Sequence, residues 1–259
     1  MPEIRVLKLE KLNPHRNDPR LLYNDETHTY YIDGIKAEIS VSGFVHKLFK
    51  PFEKEIAIDN ILRSRKMTDP TYEYYGLTRE QIKEQWIQRA DLGTVLHYDI
   101  ESFYNGEKYS NSTIEFQYFL NFQRDHSYLE PFRTEWRIFS KRCDIAGTID
   151  MLFRDMGGDY IIFDWKRAKE IKMPVQDRFT EYSIIPELSH LIKCNFVEYS
   201  IQLNTYKYIL ETEYGIKVKA MYLCILHPIN DNYKLFRVKN MSKEISAVME
   251  KRTQKINFI

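Results

Sequence analysis

Between Thr134 and Lys166 the apolar residues stop recurring at helical intervals and begin to alternate, and this change of period constrains the fold more than any other feature of the chain. Thr134 to Phe139, Ile145 to Phe153 and Tyr160 to Lys166 read as three strands. Asp155-Met-Gly-Gly-Asp159, between the second and third, suits an antiparallel hairpin. Helical patterns flank them. Thr78-Arg-Glu-Gln81 has the spacing of a capping box, and Ile82, Trp86, Ala90, Gly93, Leu96 and Ile100 follow at helical intervals, which predicts a long helix with Gly93 as the place for a bend. Ser112-Thr-Ile-Glu115 predicts a second capped helix, reaching about Tyr128 and stopped by Pro131. Residues 167–196 have no period and predict irregular chain. After them come a helix from about Glu198 to Tyr214, a strand from Val218 to Leu226 stopped by Pro228, a strand over Tyr233 to Val238, and an amphipathic helix from Ser242. Helix, three strands, helix, strand implies an α/β fold whose central mixed sheet is flanked by helices.

The N-terminal third adds to this core. With Pro14, Pro19 and mixed charge, the first twenty residues predict an arm lying over the surface. From Leu21 short strands follow, joined at Asp33-Gly34 by a tight hairpin turn. Ser40 or Ser42 caps a short helix through Leu48, and a second helix runs from about Glu53 to Arg65, before a Tyr-rich loop over Thr71 to Gly76. The expected division is residues 1–77 as N-terminal arm, β-hairpin and helical elaboration, 78–240 as core, and 241–259 as C-terminal helix. A chain of 259 residues is long enough for one sizeable core with such elaborations.

Composition excludes several classes. Hydrophobic residues at 43% with only 9 Gly and 9 Pro exclude a disordered or collagen-like chain. No apolar run approaches the ~18 residues of a membrane span, and the N-terminus alternates charge with Ile, Val and Leu, so a soluble intracellular protein without membrane partners is expected, in cytoplasm, nucleus or viral factory alike. Three widely spaced cysteines make neither a disulfide framework nor a structural zinc site. Lys and Arg number 38 against 37 Asp and Glu, so a polyanionic partner has to be met by a local patch. The 19 Tyr, 15 Phe and 3 Trp supply a core and rings on which bases could stack.

Chemistry concentrates at strand ends. Asp150 closes one strand and Asp164-Trp165-Lys166 the next; side chains alternate, so Asp164 and Lys166 project together while Trp165 points away, and a hairpin brings Asp150 beside them. Two carboxylates beside an ammonium suit a hard divalent cation, with the lysine placed to orient or deprotonate a water or to stabilise developing negative charge. A lone Asp-x-Lys is more often a cross-strand ion pair on a solvated face, since such triplets are common by chance. His97 and Glu101 share one helical face, and Gly93, one turn earlier, would clear room for another element. The imidazole either supplies a nitrogen ligand to the same metal or bonds a backbone carbonyl in the core.

Gly93/His97/Glu101, Thr134-Glu135, Ala146-Gly147-Thr148-Ile149-Asp150, Asp164-Trp165-Lys166 and Gln202-Leu-Asn-Thr-Tyr206 stand in the order of a known motif set. Over roughly residues 78–227 the chain resembles the RecB-like branch of the PD-(D/E)XK nuclease superfamily, and in length and motif layout its stand-alone exonucleases, the mitochondrial genome maintenance exonuclease and those of phages and large DNA viruses among them. The resemblance implies a PD-(D/E)XK core in αβββαβ order. It implies His97, Asp150, Asp164 and the Trp165 backbone carbonyl as metal ligands, and Lys166 as the catalytic lysine acting with Asp150 and Asp164. Gln202 and Tyr206 would support the site or meet the scissile phosphate. Glu135 would stand behind the ligands or reach the metal through water, and Glu101 would hold an ion pair. Arg167 and Lys169, with Lys141, Arg142 and Lys172, would contact phosphates.

The implied cofactor is Mg²⁺ or Mn²⁺, one or two ions. Three cysteines in the wrong places rule out the iron–sulfur cluster of some members, and the absence of a Walker A sequence rules out a fused helicase motor. The expected activity is metal-assisted hydrolysis of DNA, as an exonuclease on ends or single strands, working beside replication, repair or recombination proteins. Residues 40–92, rich in Tyr and Phe, would form an arch or wall past which a single strand runs. Two alternatives compete. A cap-snatching RNA endonuclease also uses a histidine, acids and a lysine, but the Gln-x-x-x-Tyr helix and Gly-Thr-Ile-Asp favour the DNA branch. A non-catalytic nucleic-acid-binding subunit has no need of converging carboxylates beside phosphates.

Overall fold

The computed structural model describes residues 8–257. In chain order its main elements are α1 (Leu9–Leu12), β1 (Leu21–Asn24), β2 (Thr29–Ile32), β3 (Ile35–Lys36), β4 (Ile39–Ser40), α2 (Val41–Lys47), α3 (Lys54–Arg63), α4 (Arg79–Tyr104), α5 (Ile114–Asp125), β5 (Glu130–Ser140), β6 (Ile145–Arg154), β7 (Tyr160–Lys166), α6 (Asn195–Glu213), β8 (Val218–Ile225), β9 (Lys234–Arg237) and α7 (Ser242–Asn257). The alternating runs are the long strands, and the segment between β7 and α6 is mostly irregular, as its lack of period predicts.

Local chemistry explains the boundaries. Asp33 and Gly34 both take positive φ, the requirement of a tight turn that pairs Ile32 with Ile35. Ser40 accepts the Gly43 amide and starts α2, while Thr78 and Gln81 cap α4 reciprocally. The start of α5 departs from the capping box expected at Ser112. Thr113 is the cap, accepting the Phe116 amide, and Glu115 turns instead to an ion pair with Arg167.

The main sheet runs β4-β6-β7-β8-β9, with β5 along the other edge of β6. β5, β6 and β7 are antiparallel neighbours, β8 lies parallel to β7, and β9 returns antiparallel to β8. One edge of β6 is forked. β4 pairs parallel with Ile145 and Ala146, β7 pairs antiparallel with Met151 to Arg154, and residues 147–150 between them face no strand. That gap is where Asp150 sits.

Each face of the sheet is covered. On one, α2, α6 and α7 close a core around Trp136, Ile149, Leu152, Ile201, Leu210 and Met249. On the other, Leu96 and Ile100 of α4 and the aromatic side of α5 bury Trp165, Phe153 and Phe163. The first half of α4 leaves this body and packs with α3 and Tyr74 in a small cluster of its own around Ile58 and Ile82.

One expectation is refined and one corrected. From residue 8 to 20 the chain lies over the surface, mostly exposed or half-buried, and is anchored there: Leu9 is buried, and Asp18 accepts hydrogen bonds from Trp136 Nε1 and from Arg133, each at 2.9 Å. Desolvation would raise the Asp18 carboxyl, but the Arg133, His15 and Trp136 donors outweigh it and hold it below its usual range. Residues 1–7 lie outside the described part. Gly93 does not make room for a packed element, because a Cβ built there meets nothing within 4 Å. The crowded glycine is Gly147, whose Cβ would come within 2.9 Å of both Tyr206 and Val41. Among the described residues no helix is long and apolar enough to cross a membrane.

Candidate metal centre

Four elements deliver the site. α4 carries His97, β5 Glu135, β6 Asp150, and β7 the run Asp164-Trp165-Lys166. One ligand atom each from His97, Glu135 and Asp150 lies within 4.8 Å of the others, a group able to hold a metal ion. His97 Nδ1 is 3.5 Å from Glu135 Oε1 and 3.7 Å from Asp150 Oδ2, and its Nε2 is 2.9 Å from the Trp165 carbonyl oxygen. The carbonyl only accepts, so Nε2 carries a proton and Nδ1 is the nitrogen turned toward the acids.

Trp165 is held on both sides. Its amide donates to Asp150 Oδ2 at 2.9 Å and its carbonyl accepts from His97. Its ring points into the aromatic core against Phe119 and Phe122. Asp164 and Lys166 therefore project from the opposite face, with Lys166 Nζ 2.7 Å from Asp164 Oδ2 and 4.7 Å from the Tyr199 ring centroid.

The electrostatics follow from burial. Desolvation alone would lower the His97 pKa, but Asp150 and Glu135 outweigh it and raise it to about 9. Burial raises Asp164 and Asp150 above the ordinary carboxylate range even though Lys166 and His97 favour their charged forms. For Lys166 desolvation is again the largest effect, and Asp164 and Asp150 overcome it, keeping the ammonium protonated. Asp164 is 1% exposed; its Oδ2 meets the Lys166 ammonium at 2.7 Å, while its Oδ1 has no hydrogen-bond partner among the described residues. A buried carboxylate oxygen left without a partner is costly, and a second cation is what would satisfy it.

Glu135 reaches the cluster through an unusual backbone. Its φ of 44° lies in the left-handed region inside a β-strand, so Thr134 and Trp136 pair across to Met151 and Ile149 while the rung between them is missing. A non-glycine residue there is strained. Thr134 Oγ1 donates to the Asp150 carbonyl at 3.0 Å and ties the two strands together at this point.

No family model matches the chain, and no curated protein matches it. A solved chain described as "Crystal structure of SSO0001" is similar at 11% identity and a TM-score of 0.32, covering 84% of this chain and 74% of that one, a likeness too low to carry an argument.

The expected site residues are thus distributed unevenly. His97 and Asp150 come together, joined by Glu135, which sequence reasoning had placed behind the ligands. Asp164 is beside them but paired with Lys166, and the Trp165 carbonyl is engaged by His97. Gln202 Nε2 donates to the Tyr206 hydroxyl at 3.1 Å, and the Tyr206 ring is buried against Gly147, behind the site. Arg167 is half-buried and pairs with Glu115 at 2.8 Å, Lys169 approaches Glu73 at 3.5 Å, Lys141 pairs with Asp33 and Arg142 bonds Tyr208. Glu101 is half-buried one turn beyond His97, and burial raises its pKa.

Tyr199 was missed, although it stands three residues before Gln202 and seven before Tyr206 and so shares their helical face. Tyr23, Tyr30, Tyr98 and Arg137 were missed as well. They line a cleft of about 610 Å³ that opens beside His97 and Glu135.

Proposed function

We propose that the chain is a metal-dependent deoxyribonuclease of the RecB-like PD-(D/E)XK type, hydrolysing phosphodiester bonds at DNA ends or in single strands. The observation that carries this reading is the convergence of His97, Glu135 and Asp150 beside the buried Asp164–Lys166 pair.

The donor set fits a divalent cation. His97 Nδ1 and the Glu135 and Asp150 carboxylates would hold it, with Asp164 adjacent, and one nitrogen among oxygens suits Mn²⁺ as well as Mg²⁺. Such an ion supplies Lewis acidity and lowers the pKa of water. The protein's own groups do the rest. Lys166, held as an ammonium by Asp164, is a fixed positive charge for the oxygen that becomes negative during phosphoryl transfer, and being protonated it is not the base. Asp150 and His97 fix the Trp165 peptide, which sets the direction of the two side chains flanking it. Gln202 and Tyr206 keep α6 seated against Gly147, at the edge of the fork.

Labelled single-stranded DNA, duplex DNA and RNA, each incubated with Mg²⁺, Mn²⁺ or EDTA, test the reading. Metal-dependent loss of DNA is the expected result. Cleavage of RNA alone would move the chain to the RNA endonucleases, and binding without cleavage in any metal would make it a binding subunit.

A further inference from the structure

Arg133, Glu135 and Arg137 stand at alternate positions of β5, and all three line the cleft beside His97. The two arginines are held differently. Arg133 is buried, donating to Asp18 and to the Asn13 carbonyl at 2.9 Å each, with its guanidinium 4.6 Å from the Trp136 ring centroid. Arg137 is 46% exposed, and its one ion-pair contact among the described residues is Asp25 at 3.9 Å, too long for a hydrogen bond.

Arg137 is nevertheless oriented. Its guanidinium lies 5.0 Å over the Tyr23 ring, Tyr23 packs 4.6 Å from Tyr30, and the Tyr30 hydroxyl is 2.9 Å from Thr148 Oγ1, two residues before Asp150 on β6. A guanidinium laid on a ring keeps its N–H edge free for a bidentate phosphate contact. Only Trp136 separates it from Glu135 along β5, two residue steps and a backbone distance of about 7 Å. On the α4 wall Tyr98 follows His97 in sequence, is 62% exposed, and has no ring partner among the described residues. Glu10, Asp25 and Glu101 also line the cleft, so it is not a uniformly basic channel. What it offers instead is one oriented fork, Arg137, and one free ring, Tyr98.

We propose that this cleft takes one unpaired nucleic-acid strand, with Arg137 receiving the phosphate next to the one drawn to the His97/Glu135/Asp150 cluster and Tyr98 stacking on a base. The assignment rests on the nuclease reading of that cluster and adds the residues that select a single strand. Duplex DNA presents phosphates but no free base face.

The experiment measures binding apart from cleavage: anisotropy of a fluorescent twelve-residue oligothymidylate on the full chain in EDTA, over a salt series. Arg137→Gln should weaken binding and lower the slope of log affinity against log salt by about 0.7, the contribution of one single-strand phosphate contact. Arg137→Lys should restore the slope without the full affinity, because a point charge does not replace the fork. Tyr98→Ala should cost about tenfold at every salt concentration, Tyr98→Phe little, and a hairpin duplex should be indifferent to both. Thermal melts check folding. If Arg137→Gln does not fold, Arg137→Lys carries the test, and wild-type affinity in it overturns the fork contact. Hydrolysis in Mn²⁺ with unchanged single-strand binding in the Arg137 and Tyr98 variants overturns the strand assignment and leaves the nuclease reading standing. Binding that follows Arg137 and Tyr98 without hydrolysis in any metal does the reverse, and a wild-type protein that binds no single strand overturns the assignment outright.

Discussion

Asp150 Oδ2 accepts the Trp165 amide at 2.9 Å, at the point where β6 and β7 stop pairing. The ladder between them ends at Met151 and Phe163, so the next amide of β7 on that side meets a side-chain carboxylate instead of a strand carbonyl. A strand pair has to part to expose the site, and Asp150 satisfies a donor that parting would strand. The same carboxylate belongs to the group able to hold a metal ion.

Asp150→Asn should therefore separate the two tasks. The amide oxygen still accepts from Trp165, so melting should change little, while loss of the negative charge should remove Mn²⁺ binding and lower turnover by ~10³-fold or more. Calorimetry with Mn²⁺, a thermal melt and a cleavage assay on one preparation decide it. Turnover near wild type would sink the metal assignment.

Metal binding should expel a proton. Metal-free His97 has its pKa raised to about 9 against 6.5 for the ordinary imidazole. The raised value means that its contribution to stability is complete below pH 6.5 and is lost as pH climbs to about 9. A ligand nitrogen must be unprotonated, so Mn²⁺ affinity should rise about tenfold per pH unit through that window and level off above it. Titration in buffers of different ionisation enthalpy should report about one proton released at pH 7 in the wild type and none in His97→Asn. Equal release by both would place the proton elsewhere.

Lys166→Met should lower turnover by ~10²-fold or more with Mn²⁺ affinity nearly intact, because the ammonium acts on charge that develops in the reaction. It should also unmask Asp164. Without its partner the buried carboxyl has a further raised pKa, so the variant should lose stability as pH rises from 4 to 8, and adding Asp164→Asn should restore much of it. A variant with the wild-type pH dependence of melting would mean that the pair is not coupled.

The two glycines singled out in the chain should respond oppositely to alanine. Gly147→Ala drives a methyl into Tyr206 and Val41 and should cost about 1–3 kcal/mol. Gly93→Ala meets open space within a helix and should gain about 0.5–1 kcal/mol. Urea melts measure both. If Gly93→Ala folds better but binds DNA worse, Gly93 clears a path for substrate and not for protein.

The contrast between these glycines shows how far the sequence could be read. The long strands, the capping box of α4 and the Asp33-Gly34 turn were legible because each depends on local spacing, and His97 and Asp150 stood out by their place in such patterns. The break of the run Ile35 to Ile39 into two strands was not, since Ile39 and Ser40 leave the hairpin for partners, Ile145 and Ala146, about a hundred residues away. The crowding at Gly147 and the open space at Gly93 depend on which helix packs where. Nothing in the sequence around Arg137 marks it, because what sets it apart is the Tyr23 ring beneath it, more than a hundred residues away in the chain.

Glu135 is the hardest residue to read in advance and gives the sharpest test. Its strand position sets its side chain by alternation, but the left-handed φ of 44° breaks the rung opposite Asp150 and turns the carboxylate toward His97. Holding a non-glycine residue in that region costs about 1–2 kcal/mol, so the strain should be visible once the side chain is removed. Glu135→Ala keeps the strain and Glu135→Gly relieves it. Glycine also raises the entropy of the unfolded chain, which offsets about 0.5–1 kcal/mol, so the glycine variant should equal or modestly exceed the alanine variant in stability. At an ordinary strand position alanine wins. Neither variant should bind Mn²⁺ as the wild type does, and Glu135→Gln, with the shape kept and the charge gone, should share that defect. A glycine variant about 1 kcal/mol less stable than the alanine variant would show that the backbone at Glu135 is relaxed, and the carboxylate would then face His97 without cost to the fold.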